Sequence, residues 1–151
     1  MSTEQLMKVA TEGQWEGGVK TSISVRDFEP LIVDEPASLG GGDEGPNPVE
    51  YVLAGLSSCT SVMIALIAKE QDFTFNGVEF KNEGDIDIRG LQGVEGVSPH
   101  FQEVRFDVIL DTTENEDKIQ QLKEAVEKRC PVMNLLRDAD IPVETKWLKK
   151  L

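Results

Sequence analysis

Residues 47–70, NPVEYVLAGLSSCTSVMIALIAKE, carry the reading from which the fold follows. Asn47 is a residue type that caps a helix through its side-chain oxygen, and Pro48 suits the first helical position, where its missing N–H costs nothing. The pair predicts a helix from Pro48 to about Glu70. Its residues are apolar or small nearly all round, a pattern of helices that run through the middle of a core. Tyr51 to Ala68 approaches the length of a membrane span, but Ser57, Ser58, Thr60 and Ser61 sit at its centre and no basic cluster follows, so a buried helix of a soluble protein is expected. Cys59 lies among those hydroxyls. By itself it is open between an inert buried thiol and a functional one.

Outward from this helix the pattern changes on both sides. Upstream, Thr11 to Val33 alternates and is punctuated by Gly17-Gly18, which predicts a short antiparallel meander with Ile23 and Val25 on one side of a strand. DEPASLGGGDEGPNP (residues 34–48) has three consecutive glycines and no apolar period, so it reads as a loop. It lacks the Lys-Ser/Thr ending of a phosphate loop, and Asp43 and Glu44 repel an anion. Downstream, alternation through Ile86 and Ile88 and again through Val104, Phe106, Val108 and Leu110 predicts strands. On the second of these, Phe101, Glu103 and Arg105 fall on the opposite side. Ile119, Leu122 and Val126 recur at helical spacing behind an acidic first turn and ahead of Lys128-Arg129, matching the helix dipole. Cys130-Pro131 ends that helix or kinks it. VMNLLRDAD follows as a short helix and IPVETKWLKK as a last strand. The order predicts one α+β domain over residues 1–151.

With 15 Lys and Arg against 28 Asp and Glu, the net charge is −13, which argues against nucleic acid and anionic membranes as partners, since both recruit clustered positive charge. The N-terminus lacks a basic stretch followed by an apolar one, so a cytoplasmic, reducing location is expected. Two cysteines there do not suggest a structural disulfide framework. Far apart in sequence and joined by a single histidine, they also fall short of a zinc site, and no metal or cofactor is expected. Inert packing or redox chemistry remain. Lys128 and Arg129 place charge that favours a thiolate next to Cys130, and the four hydroxyls offer donors to a thiolate at Cys59, unless they bond back to their own helix.

The combination of GPNPVEYVLAGLSSC (residues 45–59), SPHFQEVRFDVIL (98–110) and EKRCPV (127–132) resembles the OsmC/Ohr superfamily of osmotically inducible and organic hydroperoxide resistance proteins, from about Gly13 to the C-terminal strand. Within it the chain looks closer to the OsmC-like branch. The resemblance implies an OsmC-like fold: curved antiparallel sheets on two central buried helices, in an intertwined homodimer with sites at the subunit interface. It implies a thiol peroxidase of oxidative stress defence, with Cys59 as the peroxidatic cysteine, Cys130 as the resolving one and Arg26 in SVRDFEP as the cation that holds the thiolate. Organic hydroperoxide is the implied substrate and a dithiol or lipoyl-type molecule the implied reductant. Hydroperoxide reductases of the family carry a Glu directly after Asn-Pro that orders this Arg. Here that place is Val49, and Glu50 points about 100° further round the helix.

The departure at Val49 motivates a second expectation, a non-catalytic OsmC-like protein that binds a small hydrophobic ligand or senses redox state. His100, beside Pro99, reads as a turn residue rather than a general base. Trp15 and Trp147 read as cover for a sheet or a dimer contact, and Met63 and Met133 as core filler.

Overall fold

Turn chemistry organises the N-terminal part of the chain. In the computed structural model, which describes residues 4–151, β1 (Glu12–Trp15), β2 (Thr21–Ser24) and β3 (Leu31–Val33) form an antiparallel sheet in that order. The β1–β2 hairpin closes through Gly17 and Gly18, both at positive φ, where a side chain is strained. Val25 falls just past β2, in the turn toward β3. The contacts gather into two compact units that divide between Val52 and Leu53.

In the first unit the glycine loop is folded around its own anion. Asp34 is buried, and its carboxylate accepts hydrogen bonds from the backbone amides of Glu35 (2.8 Å), Gly42 (3.2 Å) and Glu44 (3.2 Å). The Glu35 amide, then those of Glu44 and Gly42, hold its carboxyl below the usual range against the opposing effect of burial. Amides that a phosphate would otherwise recruit are therefore already engaged. Gly41 packs so close to the Glu35 carbonyl that a side chain there has no room.

α1 (Pro48–Glu70) begins and ends where the sequence predicts. Asn47 Oδ1 accepts from the Glu50 amide at 2.8 Å, and Glu50 Oε1 accepts from the Asn47 amide at 2.9 Å, a reciprocal capping box. Burial along α1 departs from the expectation of a helix enclosed all round. Leu56, Thr60, Ile64, Ile67 and Ala68 form one buried stripe, while Val62 (57% exposed) and Leu66 (52%) lie on an uncovered apolar face of the single chain.

The second unit carries the core. β4 (Gly77–Ile86) pairs antiparallel with β5 (Phe101–Asp111), and β6 (Val143–Lys149) joins β5 in parallel. The expected all-antiparallel sheet is corrected at this strand. β6 returns after α3 (Glu116–Arg129) and α4 (Pro131–Asp138), and a crossover of that length allows parallel entry where a tight hairpin does not. Ile88, expected to continue the β4 alternation, instead opens the short helix α2 (Ile88–Leu91), because Asp87 accepts from the Arg89 amide and caps a helical turn.

The inner side of β5 (Val104, Phe106, Val108 and Leu110) is buried with Ile119, Leu122 and Val126 of α3 and the α1 stripe. Each such aliphatic or aromatic side chain contributes roughly 1.5–3 kcal/mol by leaving water. Phe80 and Phe106 stack at 6.0 Å between ring centroids. Phe101 also lies inside, against the alternation. The register shifts between Asp85 and Ile86, which pair with Glu103 and Phe101, so Gln102 is the extra residue of a bulge that turns Phe101 over. Gly84 accommodates it: a Cβ there would stand 2.6 Å from the Phe101 ring.

Candidate functional site

Cys130 occupies the corner between two helices. Its backbone is extended (φ −73°, ψ 116°), the geometry that Pro131 imposes on the residue before it, so it ends α3 and caps α4 at once. Asn134 closes the corner from inside, its Nδ2 donating to the carbonyls of Glu127 (3.0 Å), Lys128 (3.2 Å) and Cys130 (2.8 Å). The thiol of Cys130 is 0% exposed.

The middle of α1 meets this corner. The half-buried Cys59 thiol lies beside the Cys130 side chain and near the backbone amide of Val132, in the first turn of α4, and both act on its charge state. One residue on, Thr60 is 0% exposed, and its Oγ1 lies 4.0 Å from Cys130 Sγ. Burial pushes the Cys59 thiol above its ordinary value, and the neighbouring Cys130 thiol adds to the rise. The Val132 amide acts the other way without overcoming them.

The hydroxyls around Cys59 have other employment. Ser58 Oγ donates to the Ala54 carbonyl at 2.8 Å and Thr60 Oγ1 to that of Leu56 at 2.8 Å, the back-bonding typical of helical Ser and Thr. Ser57 Oγ accepts from Asn82 Nδ2 at 2.7 Å, and the same amide donates to the Leu53 carbonyl at 2.9 Å, tying α1 to β4. Small side chains at these positions let β4 and the α3–α4 corner approach.

Arg129, expected to bring its charge to Cys130, instead makes two bonds to Glu70 at the end of α1 (2.7 and 3.1 Å) and holds that carboxyl below its usual range. Glu127, a turn before Cys130, is a buried carboxylate fully engaged by Arg137 Nη2 (2.9 Å), Thr145 Oγ1 (2.8 Å) and Trp147 Nε1 (2.8 Å). Trp147 thus braces α3 against β6. Trp15 donates to the Gly18 carbonyl in its hairpin, Met133 is core and His100 is an exposed turn residue.

Arg26 belongs to the first unit. It sits in the turn after β2 at φ 49°, a conformation uncommon for a residue with a side chain, and its guanidinium lies 4.7 Å from the Phe28 ring centroid, a cation–π contact. It lines a shallow concavity with Ala10, Thr11, Glu12 and Ser24. Glu50 is spent in the capping box, so it does not stand in for the acid missing at Val49. Among the described residues, the buried side-chain oxygen without a hydrogen-bond partner is Glu35 Oε1.

Sequence reasoning marked both cysteines and offered Thr60 as a donor to Cys59, whereas its hydroxyl lies by Cys130, and it missed the Val132 amide, Asn82 and Asn134. Cys-Pro at a helix start signals free amides in the following turn. The two asparagines act through tertiary contacts that no local pattern announces.

A family description, OsmC-like protein, matches residues 40–146. No curated protein matches the chain. Among solved structures, an OsmC-like protein from Mycoplasma pneumoniae superposes with a TM-score of 0.82 at 18% identity, covering 96% of this chain and 99% of that one. An organic hydroperoxide resistance protein from Elizabethkingia anophelis gives 0.78 at 20% identity, with 98% and 100% covered. The organic hydroperoxide resistance protein OhrB of Bacillus subtilis gives 0.65 at 22% identity, with 97% and 100% covered. Likeness at these identities concerns the fold.

Proposed function

Because the chain belongs to the OsmC-like protein family, we propose that it is a thiol peroxidase that reduces organic hydroperoxides with Cys59 and Cys130. The observation that carries the proposal is the proximity of the two cysteine side chains, one half-buried and the other enclosed. Some structures of similar fold are named for organic hydroperoxide resistance, which agrees with it.

In the proposed reaction the Cys59 thiolate attacks one oxygen of ROOH. The O–O bond breaks, the alkoxide takes a proton and leaves as ROH, and the sulfur is oxidised by two electrons to sulfenic acid. The Cys130 thiol then displaces that hydroxyl as water and a disulfide forms. The bond requires the two Cα atoms to lie within roughly 4.4–6.8 Å. A dithiol or lipoyl-type reductant in a reducing cytoplasm restores both thiols by exchange.

Burial disfavours the thiolate, so the chemistry calls for a cation in addition to the Val132 amide. Arg26 is the proposed one: permanently charged, planar, and held in a strained turn of the kind that gathers at functional sites. The uncovered apolar face of α1 supports a homodimer, and an apolar surround favours an alkyl hydroperoxide over hydrogen peroxide.

The test is peroxide consumption with a dithiol. Cys59→Ser is expected to abolish it, and Cys130→Ser to leave sulfenic acid or a mixed disulfide in place of the intramolecular bond. Full activity in Cys59→Ser overturns the proposal. A second reading, a redox sensor or binder of a small hydrophobic ligand, is favoured by the upward shift of the Cys59 thiol and by Val49. Turnover no faster than a free thiol, together with a ligand that raises Tm, supports it instead.

A further inference from the structure

The two sulfurs of the candidate pair differ sharply in surroundings, and a disulfide between them inherits the difference. Thiol–disulfide exchange is a displacement in which the attacking sulfur approaches along the S–S axis, from the side opposite the sulfur that leaves. Approach to Cys130 along that line is closed. Its side chain is 0% exposed, Asn134 ties the α3–α4 corner through three carbonyls, and Thr60 and Met133, both buried, lie with it in the interior. Cys59, by contrast, is only half-buried.

The fate of the leaving sulfur points the same way. Cys130 is the N-cap residue of α4, and its side chain makes no capping hydrogen bond there. A thiolate released at that place lies at the positive end of the α4 dipole, beside the Thr60 hydroxyl, which can turn from the Leu56 carbonyl toward the sulfur.

We infer that reduction of a Cys59–Cys130 disulfide is regioselective: the incoming thiol attacks Cys59 Sγ, and Cys130 Sγ leaves. The inference rests on the reading of these residues as a redox pair. In balanced form, a dithiol thiolate bonds to Cys59 Sγ, the Cys59–Cys130 bond breaks with its electron pair on Cys130, and Cys130 takes a proton. The second thiol of the reductant then attacks its own sulfur in the mixed disulfide, freeing Cys59 as the thiol and leaving a cyclic disulfide. A monothiol has no second group. Its adduct on Cys59 is exposed to return attack by the adjacent Cys130, which expels the monothiol and re-forms the protein disulfide.

The experiment uses the full chain oxidised in parallel with diamide and with an alkyl hydroperoxide, then exposed briefly to glutathione, quenched in acid, alkylated and digested with trypsin. Cleavage separates the two cysteines into the peptides Asp27–Lys69 and Cys130–Arg137. The expected result is a glutathione mass on Asp27–Lys69 with an alkylated thiol on Cys130–Arg137. Glutathione on Cys130–Arg137, or spread equally over both, overturns the inference. If diamide joins the sulfurs and hydroperoxide does not, the peroxidase reading fails while the adduct position still decides the regiochemistry. If neither oxidant joins them, both fail.

Discussion

At Cys59 effects of opposite sign meet on one sulfur. Loss of water and the Cys130 thiol disfavour the anion, and the Val132 amide favours it, with the thiol shifted upward as the result. Alkylation of Cys59 is therefore expected to accelerate as pH rises beyond the ordinary thiol range. Stability carries the matching sign. A group with a raised folded-state value stabilises the fold below its unfolded value, and that contribution is lost as pH climbs through the raised one. Cys59→Ser is expected to flatten this part of the Tm-against-pH curve, and an unchanged slope would contradict the assignment. Arg26→Asn keeps a residue that tolerates positive φ while removing the charge. It is expected to preserve Tm, slow peroxide consumption and move the alkylation midpoint further up. Unaltered kinetics in that variant would remove Arg26 from the site.

Among the elements, those governed by neighbours in sequence were the ones that could be read in advance. α1 starts at Pro48 because the side chains of Asn47 and Glu50 each accept from the other's backbone amide three residues apart, and α3 buries the Ile119, Leu122 and Val126 stripe that its spacing announces. β5 was legible from Val104 to Leu110 but not at Phe101, where the bulge at Gln102 reverses the side that alternation assigns. That reversal depends on the partner strand. The Phe101 ring lies against Gly84, where a side chain has no room, so Gly84→Val is expected to destabilise by about 1–3 kcal/mol through overpacking. Chemical denaturation measures it, and a loss well below that range would mean that the ring has free space to retreat.

For the whole molecule, the uncovered side of α1 is the feature that one chain leaves unfinished. Val62 and Leu66 lie exposed on a helix whose composition suits enclosure all round, which is the physical ground for the proposed dimer. Leu66→Lys is expected to shift the protein toward monomer in light scattering or sedimentation while the buried stripe through Leu56, Ile64 and Ile67 keeps the helix in place. A wild-type protein that is monomeric at all concentrations would refute the dimer.

Helix limits, the meander, the Cys-Pro break and the pair of candidate thiols were already present in local order, because caps, glycine turns and apolar spacing act over a few residues. Parallel entry of β6, the inward turn of Phe101, the diversion of Arg129 to Glu70 and of Glu50 to its capping box, and the meeting of Cys59 with Cys130 and the Val132 amide arose only on folding. Each depends on a partner distant in the chain or on competition for one side chain, and spacing along a sequence records neither.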